Sequence, residues 1–379
     1  MKKIILIYST AGLGHKKAAM ALLKVFQDRV KGAVEVKAID LLEYASPFYR
    51  FLYTTFYIFV VSRARWLWWI IYYIPNYPFM DLFIKPLRDF ADSRHLKKLV
   101  EELARENPDA IVATHFLLPG ITGVLKKAKG FHSKMYAVVT DYGPHSYWLS
   151  KNIDGYFVGS EFTSKEMQKR KVPEEKMTVT GIPVGEEFAR EFDMEKLRED
   201  YGLAKDKKTI FLLSGGFGVG PMKEILLSLN SCKSDIQVIT VCGHNKEMYD
   251  DIDQLKSRLK YPVVLIGYTD KVAELMSVSD LMITKAGGIS TTEAMSARLP
   301  MIFFASIPGQ ETWNEQLLTA NNAAEKARRV EEIPALADKV LLSEDVSENL
   351  KAGIDKIRRP DAAERIVDIV LDQIGGQNG

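Results

Sequence analysis

Short apolar runs alternate with amphipathic segments along most of the chain. KIILIYS near the start is short and rich in β-branched residues, which predicts a strand. KKAAMALLKVFQDRV after it has apolar residues at helical spacing, which predicts a helix. Similar strand candidates, separated by helical stretches, are DAIVATH, KMYAVVTD, DGYFVGS, KMTVTGIPV, KTIFLLSGG, IQVITVCG, PVVLIGY, DLMITKAG and LPMIFFAS. This alternation is typical of parallel βαβ units.

The chain is expected to divide in the charged stretch after GIPVGEEF, at residues 184–206. Its 379 residues exceed one typical core, so the length favours two domains. Each half begins with a strand, a glycine turn and a helix. We therefore expect an α/β protein of two Rossmann-like domains, 1–184 and 185–379, whose parallel sheets face each other across a cleft. A last helix at about 360–374 could pack on either half, including back on the N-terminal domain.

Composition narrows the functional class. A hydrophobic fraction of 47% and a charged fraction of 26% are those of a globular protein. Cys232 and Cys242 provide neither a disulfide framework nor zinc spacing, which indicates a reducing compartment. The opening apolar run is expected to be a buried strand and not a signal peptide. The sequence contains no Walker motif, zinc-protease motif or nucleophile elbow, and nothing that resembles a nucleic-acid module.

The segment SRARWLWWIIYYIPNY, residues 62–77, predicts contact with a membrane surface. A transmembrane helix needs about 20 apolar residues, and residues 62–65 and two prolines interrupt the run. Residues 1–100 carry 16 Lys+Arg against 7 Asp+Glu, an excess that fits attraction to an anionic surface and, on charge alone, equally a solvated basic face. A buried core segment is the alternative, but Trp and Tyr beside Arg favour a monotopic interfacial anchor. The expected contacts are Arg63, Arg65, Trp66, Trp68, Trp69, Tyr72 and Tyr73.

The first glycine loop, STAGLGHKKAA at 9–19, joins the first strand to the first helix. Its glycines permit a tight turn, and the helix N-terminus favours a negative ligand. His15 is a candidate general base near neutral pH. The alternative is a histidine that only packs or caps the helix. Further on, Asp141 and His145 are too few ligands for a metal site.

Two glycine loops in the second half are candidates for holding a diphosphate. SGGFGVGP at 214–221 loosely matches a dinucleotide fingerprint, but the next strand lacks the acidic residue of a nicotinamide site. In TKAGGISTTEA at 284–294, Gly287 and Gly288 make the turn and a helix is expected from about Ser290. Spacing alone favours a capping box between Ser290 and Glu293 over a ribose contact from Glu293.

The segment PGQETWNEQ at 308–316 follows the next strand candidate, so we expect it at the same edge of the sheet. Gln310, Glu311 and Asn314 supply the mixed donors and acceptors that sugar hydroxyls need. Taken alone, the segment is equally compatible with an ordinary polar loop.

Together, these segments resemble the family of monogalactosyldiacylglycerol synthases and processive diacylglycerol glucosyltransferases, in glycosyltransferase family 28. The match runs in order through GLGHKKAA, VVTDYGPHSYW, TGIPV, LLSGGFGVG, VCGHN, TKAGGISTTEA and PGQETWN. The resemblance implies a GT-B fold, a UDP-sugar held mainly by the C-terminal domain and a lipid acceptor at the N-terminal one. Two departures are the Ala-Gly-Leu-Gly-His order of the first loop and Ile289 in place of a proline.

The resemblance also assigns residues. It gives Glu293 to the ribose, with capping as a secondary contact, Gln310 and Glu311 to the hexose, and Thr269 to the uracil edge. The implied donor-binding residues are Gly14, Ser214, Gly215, Gly216, Gly243, Asn245, Thr269, Gly287, Gly288, Ser290, Thr291, Glu293, Gln310, Glu311 and Asn314. The implied residues of the acceptor and lipid side are His115, Asp141, His145 and Trp148.

The expected reaction is inverting hexosyl transfer from a UDP-hexose to diacylglycerol or a glycosyl-diacylglycerol. His15 is the expected base, and the amides at Gly288–Thr292 and Ser214–Gly216 are expected to stabilise departing UDP. Catalysis is then expected without a metal or a cofactor. The expected partners are UDP-hexose, diacylglycerol and anionic lipids, with no nucleic acid, and the expected location is peripheral, on the cytoplasmic side of the cell membrane.

Three alternatives remain open. One is the same fold acting from UDP-N-acetylglucosamine on a lipid-linked peptidoglycan precursor. Another is a non-hydrolysing UDP-sugar epimerase, which would have no need of an aromatic membrane surface. The last is a non-catalytic membrane-bound sensor of UDP-sugar. The intact His15 and the complete donor motifs argue against it.

Overall fold

A computed structural model describes residues 1–213 and 220–375. Within this range, the side chains at positions 58, 62, 65, 78, 81 and 82 lie outside the description. The described chain forms two compact units, Met1–Gly185 with Arg359–Gly379, and Glu186–Arg358.

The first unit is built on a parallel sheet with strand order β2-β1-β3-β4-β5-β6. Its strands are β1 (Lys2–Tyr8), β2 (Val34–Asp40), β3 (Ala110–Ala113), β4 (Lys134–Val138), β5 (Gly155–Val158) and β6 (Met177–Val179). Its helices up to β6 are α1 (Leu13–Val30), α2 (Leu41–Tyr44), α3 (Pro47–Phe51), α4 (Tyr57–Arg63), α5 (Arg65–Tyr73), α6 (Pro78–His95), α7 (Lys97–Glu106), α8 (Leu117–Leu125) and α9 (Glu161–Lys169). A π-helical turn, Leu52–Phe56, joins α3 to α4.

The second unit repeats the plan with strand order β12-β11-β10-β7-β8-β9. Its strands are β7 (Lys208–Leu213), β8 (Ile236–Val241), β9 (Val263–Ile266), β10 (Leu281–Thr284), β11 (Met301–Phe303) and β12 (Glu325–Lys326). Its helices are α10 (Met194–Asp200), α11 (Met222–Ser228), α12 (Lys246–Leu255), α13 (Val272–Ser277), α14 (Gly288–Ser296), α15 (Gln310–Ala320), α16 (Ile333–Leu341) and α17 (Glu344–Ile357). The α/β fold class expected from the sequence is therefore confirmed.

The last helix, α18 (Ala362–Gln373), packs on the first unit. Ile366 and Val370 share a buried cluster with Leu22 and Phe26 of α1, on one face of the first sheet. Arg29 and Asp368 form an ion pair of 3.2 Å at the edge of this contact. The chain thus returns to its first unit after completing the second.

Helices α6 and α8 cross closely at Gly120. A Cβ on Gly120 would lie 2.0 Å from Oδ2 of Asp92, which is 1% exposed and accepts a hydrogen bond of 2.9 Å from the Tyr49 hydroxyl. Burial raises the pKa of Asp92 to about 6. The absence of a side chain at Gly120 is therefore what allows α6, which carries the buried carboxyl group, to pack on α8.

Gly120→Ala is expected to lower the free energy of unfolding by about 1–3 kcal/mol, because the added methyl overpacks the helix crossing. Gly123→Ala, one turn later in the same helix, is the matched control. A Cβ there would meet Asn152 at 3.5 Å, an ordinary contact, so alanine should be neutral or stabilise the helix by about 0.5–1 kcal/mol. Urea unfolding followed by tryptophan fluorescence measures both. Equal effects at the two glycines would contradict this packing.

Candidate active site

His15 lies where the strand order of the first sheet reverses, between β1 and β3. Helix α1 begins directly after the glycine loop, with Gly12 at its N-cap in an extended conformation, so His15 sits in the first turn. In open parallel sheets, ligands bind outside the carboxyl ends of the strands at such a reversal. This position is therefore a candidate active site of the first unit.

Hydrogen bonds fix the tautomer of His15. Its Nδ1 lies 2.6 Å from the backbone oxygen of Thr114 and 3.1 Å from Oγ1 of Thr140. A carbonyl oxygen only accepts, so Nδ1 carries the hydrogen and donates it to Thr114. The lone pair is then on Nε2. Burial lowers the pKa of His15 to about 4, which keeps the ring neutral near pH 7 and able to accept a proton.

Thr114 and Thr140 are site residues that the sequence predictions did not include. Thr114 follows β3 and also donates its hydroxyl to the backbone oxygen of His15, at 2.8 Å. Thr140 lies shortly after β4. Each is the next-to-last residue of its strand candidate, DAIVATH or KMYAVVTD, so its position close to a strand end was the available signal.

His115 supports the His15 ring. The two ring centroids are 4.6 Å apart in an edge-on arrangement. His115 is 2% exposed, and its Nδ1 accepts a hydrogen bond of 3.3 Å from the backbone N–H of Leu117. Burial holds its pKa well below the ordinary value, so this ring is neutral too. The structure thus places His115 behind the candidate base.

The other residues assigned to the acceptor side lie in a buried loop after β4. Asp141 and Trp148 are both buried. His145 donates from Nε2 to the backbone oxygen of Tyr72, at 2.8 Å, and its Nδ1 accepts from the backbone N–H of Tyr147, at 3.2 Å. Burial lowers the pKa of His145 to about 4. With both ring nitrogens engaged, His145 anchors the end of α5 to the loop after β4.

The predicted membrane contacts in α4 and α5 divide into an exposed and a buried group. Trp66, Trp69 and Arg63 are exposed. The side chain of Arg65 lies outside the described residues. Two aromatic rings and one cation of the predicted surface are therefore available to a partner.

Tyr72 corrects the prediction, because it is buried and its ring packs 4.6 Å from that of His145. Trp68 and Tyr73 are partly buried. Trp68 contacts both Tyr57 and Tyr72, with ring centroids 5.5 and 5.7 Å away. Because α5 must be held on the protein, one side of its aromatic run is used for that attachment.

A second exposed apolar surface lies on α6, and the sequence predictions did not include it. Phe79, Phe83, Leu87 and Phe90 are each at least 65% exposed. Their spacing of four, four and three residues places them on one side of a helix. We call these residues the α6 stripe. The same spacing in PFMDLFIKPLRDF was the signal available in the sequence.

Among the residues that the structure describes, no helix has the length and apolar character to cross a bilayer.

In the second unit the strand order reverses between β7 and β10, and Gly287 lies at the carboxyl end of β10. Helix α14 begins at Gly288, with Gly287 as an N-cap that provides no side-chain hydrogen bond. Ser290 is consequently inside the first turn, and the expected capping box between Ser290 and Glu293 is wrong. The second glycine of the turn already adopts helical geometry, so the helix begins two residues earlier than expected. Glu293 is 1% exposed.

The N-terminus of α14 follows the carboxyl end of β10. The first N–H groups of a helix have no acceptor within it. The Thr291 hydroxyl donates to the backbone oxygen of Gly287 at 2.8 Å, and that of Thr292 to Gly288 at 2.7 Å. These threonine hydroxyls therefore stabilise the first turn itself, and the backbone amides are the groups that remain for an anion.

Helix α15 holds the turn that precedes α14. Asn314 is fully buried and donates from Nδ2 to the backbone oxygen of Ala286, at 2.8 Å. Gln310, the first residue of α15, is partly buried. The sequence predicted a sugar contact for Asn314, whereas the structure shows this side chain fixing the glycine turn.

Glu311 is also engaged with this turn. Its Oε2 accepts a hydrogen bond of 2.6 Å from the backbone N–H of Ile307, and its Oε1 lies 3.9 Å from Nζ of Lys285. Burial raises the pKa of Glu311, while the Lys285 charge opposes that rise. Lys285, which the sequence predictions did not include, thus brings a cation to the carboxyl end of β10.

The loops after β8 and β9 use their polar side chains locally. Asn245 caps α12 by accepting from the backbone N–H of Met248 at 2.9 Å. Gly243 has a φ of +59°, which favours glycine. The Thr269 hydroxyl accepts from the backbone N–H of Lys271 at 3.1 Å. Beside these residues, the exposed rings of His244 and Tyr268 stack with centroids 4.3 Å apart, a pair that the sequence predictions missed.

Of the remaining predicted donor-binding residues, the structure describes Gly14 but not residues 214–216. Gly14 lies in the first turn of α1, in the first unit. Ser214, Gly215 and Gly216 lie outside the described residues, so their predicted role as N–H donors stays a prediction. Within the described ranges, no group of three or more His, Cys, Asp or Glu residues is placed to hold a metal ion.

Two family models match the chain in succession. The monogalactosyldiacylglycerol (MGDG) synthase model matches residues 15–184, and the glycosyltransferase family 28 C-terminal domain matches residues 209–367. A processive diacylglycerol beta-glucosyltransferase of Bacillus cereus (strain ATCC 10987 / NRS 248) is 29% identical over 370 residues, covering 97% of this chain and 93% of that protein.

Solved structures show the same fold over the full length. The crystal structure of Acinetobacter baumannii MurG matches with a TM-score of 0.64 at 13% identity, covering 98% of this chain and 100% of that one. An S. aureus MnaA-UDP co-structure matches with a TM-score of 0.64 at 13% identity, covering 100% and 98%. The two parallel sheets and these matches define a two-domain glycosyltransferase of the GT-B type. The chain therefore joins a domain that matches monogalactosyldiacylglycerol synthase to a C-terminal domain of glycosyltransferase family 28.

The activity of this glycosyltransferase is expected to stay level between about pH 5.5 and 7. The base form of His15 is complete well above its pKa of about 4, so kcat/KM should lose less than about twofold over this range. An ordinary histidine pKa of about 6.5 would instead reduce kcat/KM to roughly one-tenth at pH 5.5. A pH–rate profile measures this, with circular dichroism at each pH as the control for folding. An inflection near pH 6.5 would contradict a His15 that stays neutral as the candidate base.

Proposed function

We propose that the protein is an inverting glycosyltransferase that moves a hexose from a UDP-sugar to diacylglycerol or a glycosyl-diacylglycerol at a membrane surface. The name of its B. cereus relative supports the acceptor, and the UDP in the MnaA co-structure supports the donor. The observation that carries the proposal is the neutral His15, whose Nδ1 is fixed by Thr114 and whose Nε2 holds the lone pair.

In the proposed reaction, Nε2 of His15 takes the proton of the acceptor hydroxyl. The hydroxyl oxygen forms a bond to the anomeric carbon of the sugar. The bond from that carbon to the β-phosphate oxygen breaks, and its electrons leave with UDP. A single displacement of this kind inverts the configuration at the anomeric carbon. The Thr114 carbonyl stabilises the imidazolium that forms, because it accepts the hydrogen on Nδ1.

The proposed donor site is the carboxyl edge of the second sheet. The amides of Gly288, Ile289 and Ser290, in the first turn of α14, would bind the diphosphate, since first-turn N–H groups and the positive end of the dipole favour an anion. The Thr291 N–H already donates to the backbone oxygen of Gly287, at 3.0 Å. Glu293 would bind the ribose and Thr269 the uracil edge, as in the family. We propose that these groups act without a metal ion.

The proposed membrane surface consists of Trp66, Trp69 and the α6 stripe. Exposed aromatic and aliphatic side chains on one face of a helix are typical of a monotopic protein that lies in the headgroup region. The exposed Arg63 and the excess of Lys and Arg in residues 1–100 favour anionic lipids. We propose a peripheral location on the cytoplasmic side of the membrane.

The reaction is tested by incubating the purified protein with anionic liposomes that contain diacylglycerol and, in turn, UDP-glucose, UDP-galactose and UDP-N-acetylglucosamine. Mass spectrometry should detect a glycosyl-diacylglycerol with one of them. His15→Ala should lower the rate by at least about 100-fold, because it removes the base, and should leave UDP binding intact. Substantial activity in His15→Ala would overturn the assignment of the base.

Other products would identify the alternatives. If the product is a glycosylated lipid-linked peptidoglycan precursor, that precursor is the acceptor and diacylglycerol is not. An epimerised UDP-sugar formed without any acceptor would identify an epimerase. UDP-sugar binding with no product in any mixture would identify a sensor.

The membrane surface is tested by vesicle sedimentation. Phe83→Ser with Leu87→Ser should weaken binding to anionic vesicles by at least about tenfold, because each exposed side chain that enters the interface contributes about 1.5–3 kcal/mol. Leu342→Ser in the second unit is the matched control, since Leu342 is exposed to a similar extent, 63% against 70% for Leu87. Trp66→Ser with Trp69→Ser tests α5 in the same way. A folded double variant that sediments like the control would contradict the surface.

A further inference from the structure

Lys285 is the side-chain cation nearest in sequence to the turn that starts α14. It follows directly on β10, and its backbone oxygen accepts a hydrogen bond of 2.8 Å from the Gly287 N–H. Together with Thr284, Gly220 and Ala305, it lines a cavity at the carboxyl ends of β7, β10 and β11. Its side chain is 19% exposed, so the ammonium group lies at the edge of the sheet and is within reach of a ligand there.

We infer that Lys285 neutralises the charge that develops on the departing nucleotide diphosphate, and that Glu311 positions it. This inference rests on the proposed function and adds a side-chain cation to a site so far built from backbone amides. Lys285 is a binding and catalytic residue in this scheme, because its ammonium group touches the leaving group. Glu311 acts only through Lys285.

The charge balance of the reaction supports a cation here. When the bond between the anomeric carbon and the β-phosphate oxygen breaks, the leaving UDP retains both electrons and gains one negative charge. A helix N-terminus offers only about half a positive charge. Lys285 beside it is paired with Glu311, so the pair adds no net charge, but its mobile ammonium can come closer to a phosphate oxygen than the fixed carboxylate can. It can therefore stabilise the charge gained in the transition state.

The geometry leaves the ammonium group available to a ligand. Nζ of Lys285 and Oε1 of Glu311 are 3.9 Å apart, which is an ion pair but longer than a hydrogen bond. Glu311 itself is fixed by the backbone N–H of Ile307. The carboxylate therefore holds the ammonium in place by charge. Within residues 1–213 and 220–375 no hydrogen bond engages the N–H donors of Lys285, so they can turn towards a phosphate oxygen.

The same helix provides a matched pair away from the site. Glu315, one turn after Glu311, is also buried and forms an ion pair with Lys326. Lys326 belongs to the edge strand β12, separated by β11 from β10. Replacing either lysine removes the partner of a buried α15 carboxylate, but only Lys285 lies beside the α14 N-terminus.

Calorimetric titration with UDP and with UMP tests the inference, because UMP lacks the β-phosphate. Lys285→Gln should bind UDP roughly tenfold or more weakly, the effect of losing a charged hydrogen bond. Its affinity for UMP should change by less than about threefold, and kcat should fall, because the leaving group loses a counter-charge. Lys285→Arg should restore most of both losses. Lys326→Gln should match the wild type in UDP affinity and kcat.

Each contrary result has a distinct meaning. If the wild-type protein does not bind UDP, the proposed function is wrong and the inference is wrong with it. If the wild type binds UDP and Lys285→Gln binds it equally well with an unchanged kcat, only the role of Lys285 is wrong. If Lys285→Gln and Lys326→Gln lose the same affinity for UDP, the effect is structural and the inference is overturned. The same holds if Lys285→Gln loses as much affinity for UMP as for UDP.

Discussion

The parallel direction of all strands in each sheet is the constraint on which the candidate site depends. Parallel strands end at one edge, and where the strand order reverses the following loops separate and leave room for a ligand. His15 follows β1 at such a reversal, and the Gly287 turn follows β10 at another. The chemistry of both units is therefore concentrated in the few residues after a strand. The rest of each unit keeps those strand ends in register.

The sequence predicted the interior strands well because their residues are apolar on both faces. It missed β2 and β12, which are edge strands in their sheets. In β2 the run VEVKAID carries charges and only its end residues are buried, and β12 has two residues. The edge strands β6 and β9 were predicted, so edge position alone does not hide a strand. The charges of β2 and the shortness of β12 leave no continuous apolar run to recognise. The fold class was thus predictable from the sequence, whereas the full extent of the sheets was not.

The candidate site was predictable by position and less so by role. The sequence located His15, the Gly287 turn and the PGQETWNEQ segment at strand ends, because each follows an apolar run. It did not show that Asn314 binds the Ala286 carbonyl or that Tyr72 is buried against His145. Asn314 and Ala286 are 28 positions apart in the chain, and His145 and Tyr72 are 73 positions apart. Local spacing contains no information about them.

The packing of α18 on α1 makes the second unit an insertion within the first. During synthesis, residues 186–358 leave the ribosome before α18 exists, so the second unit can complete its core while one face of the first sheet is covered only in part, by α1. Leu22 and Phe26 stay without their partners Ile366 and Val370 until that last helix is made. Domains generally fold in the order in which they are synthesised. Here the unit that starts the chain is the one whose core is completed last. A chaperone that shields the exposed part of its sheet would have to act until translation has passed residue 373.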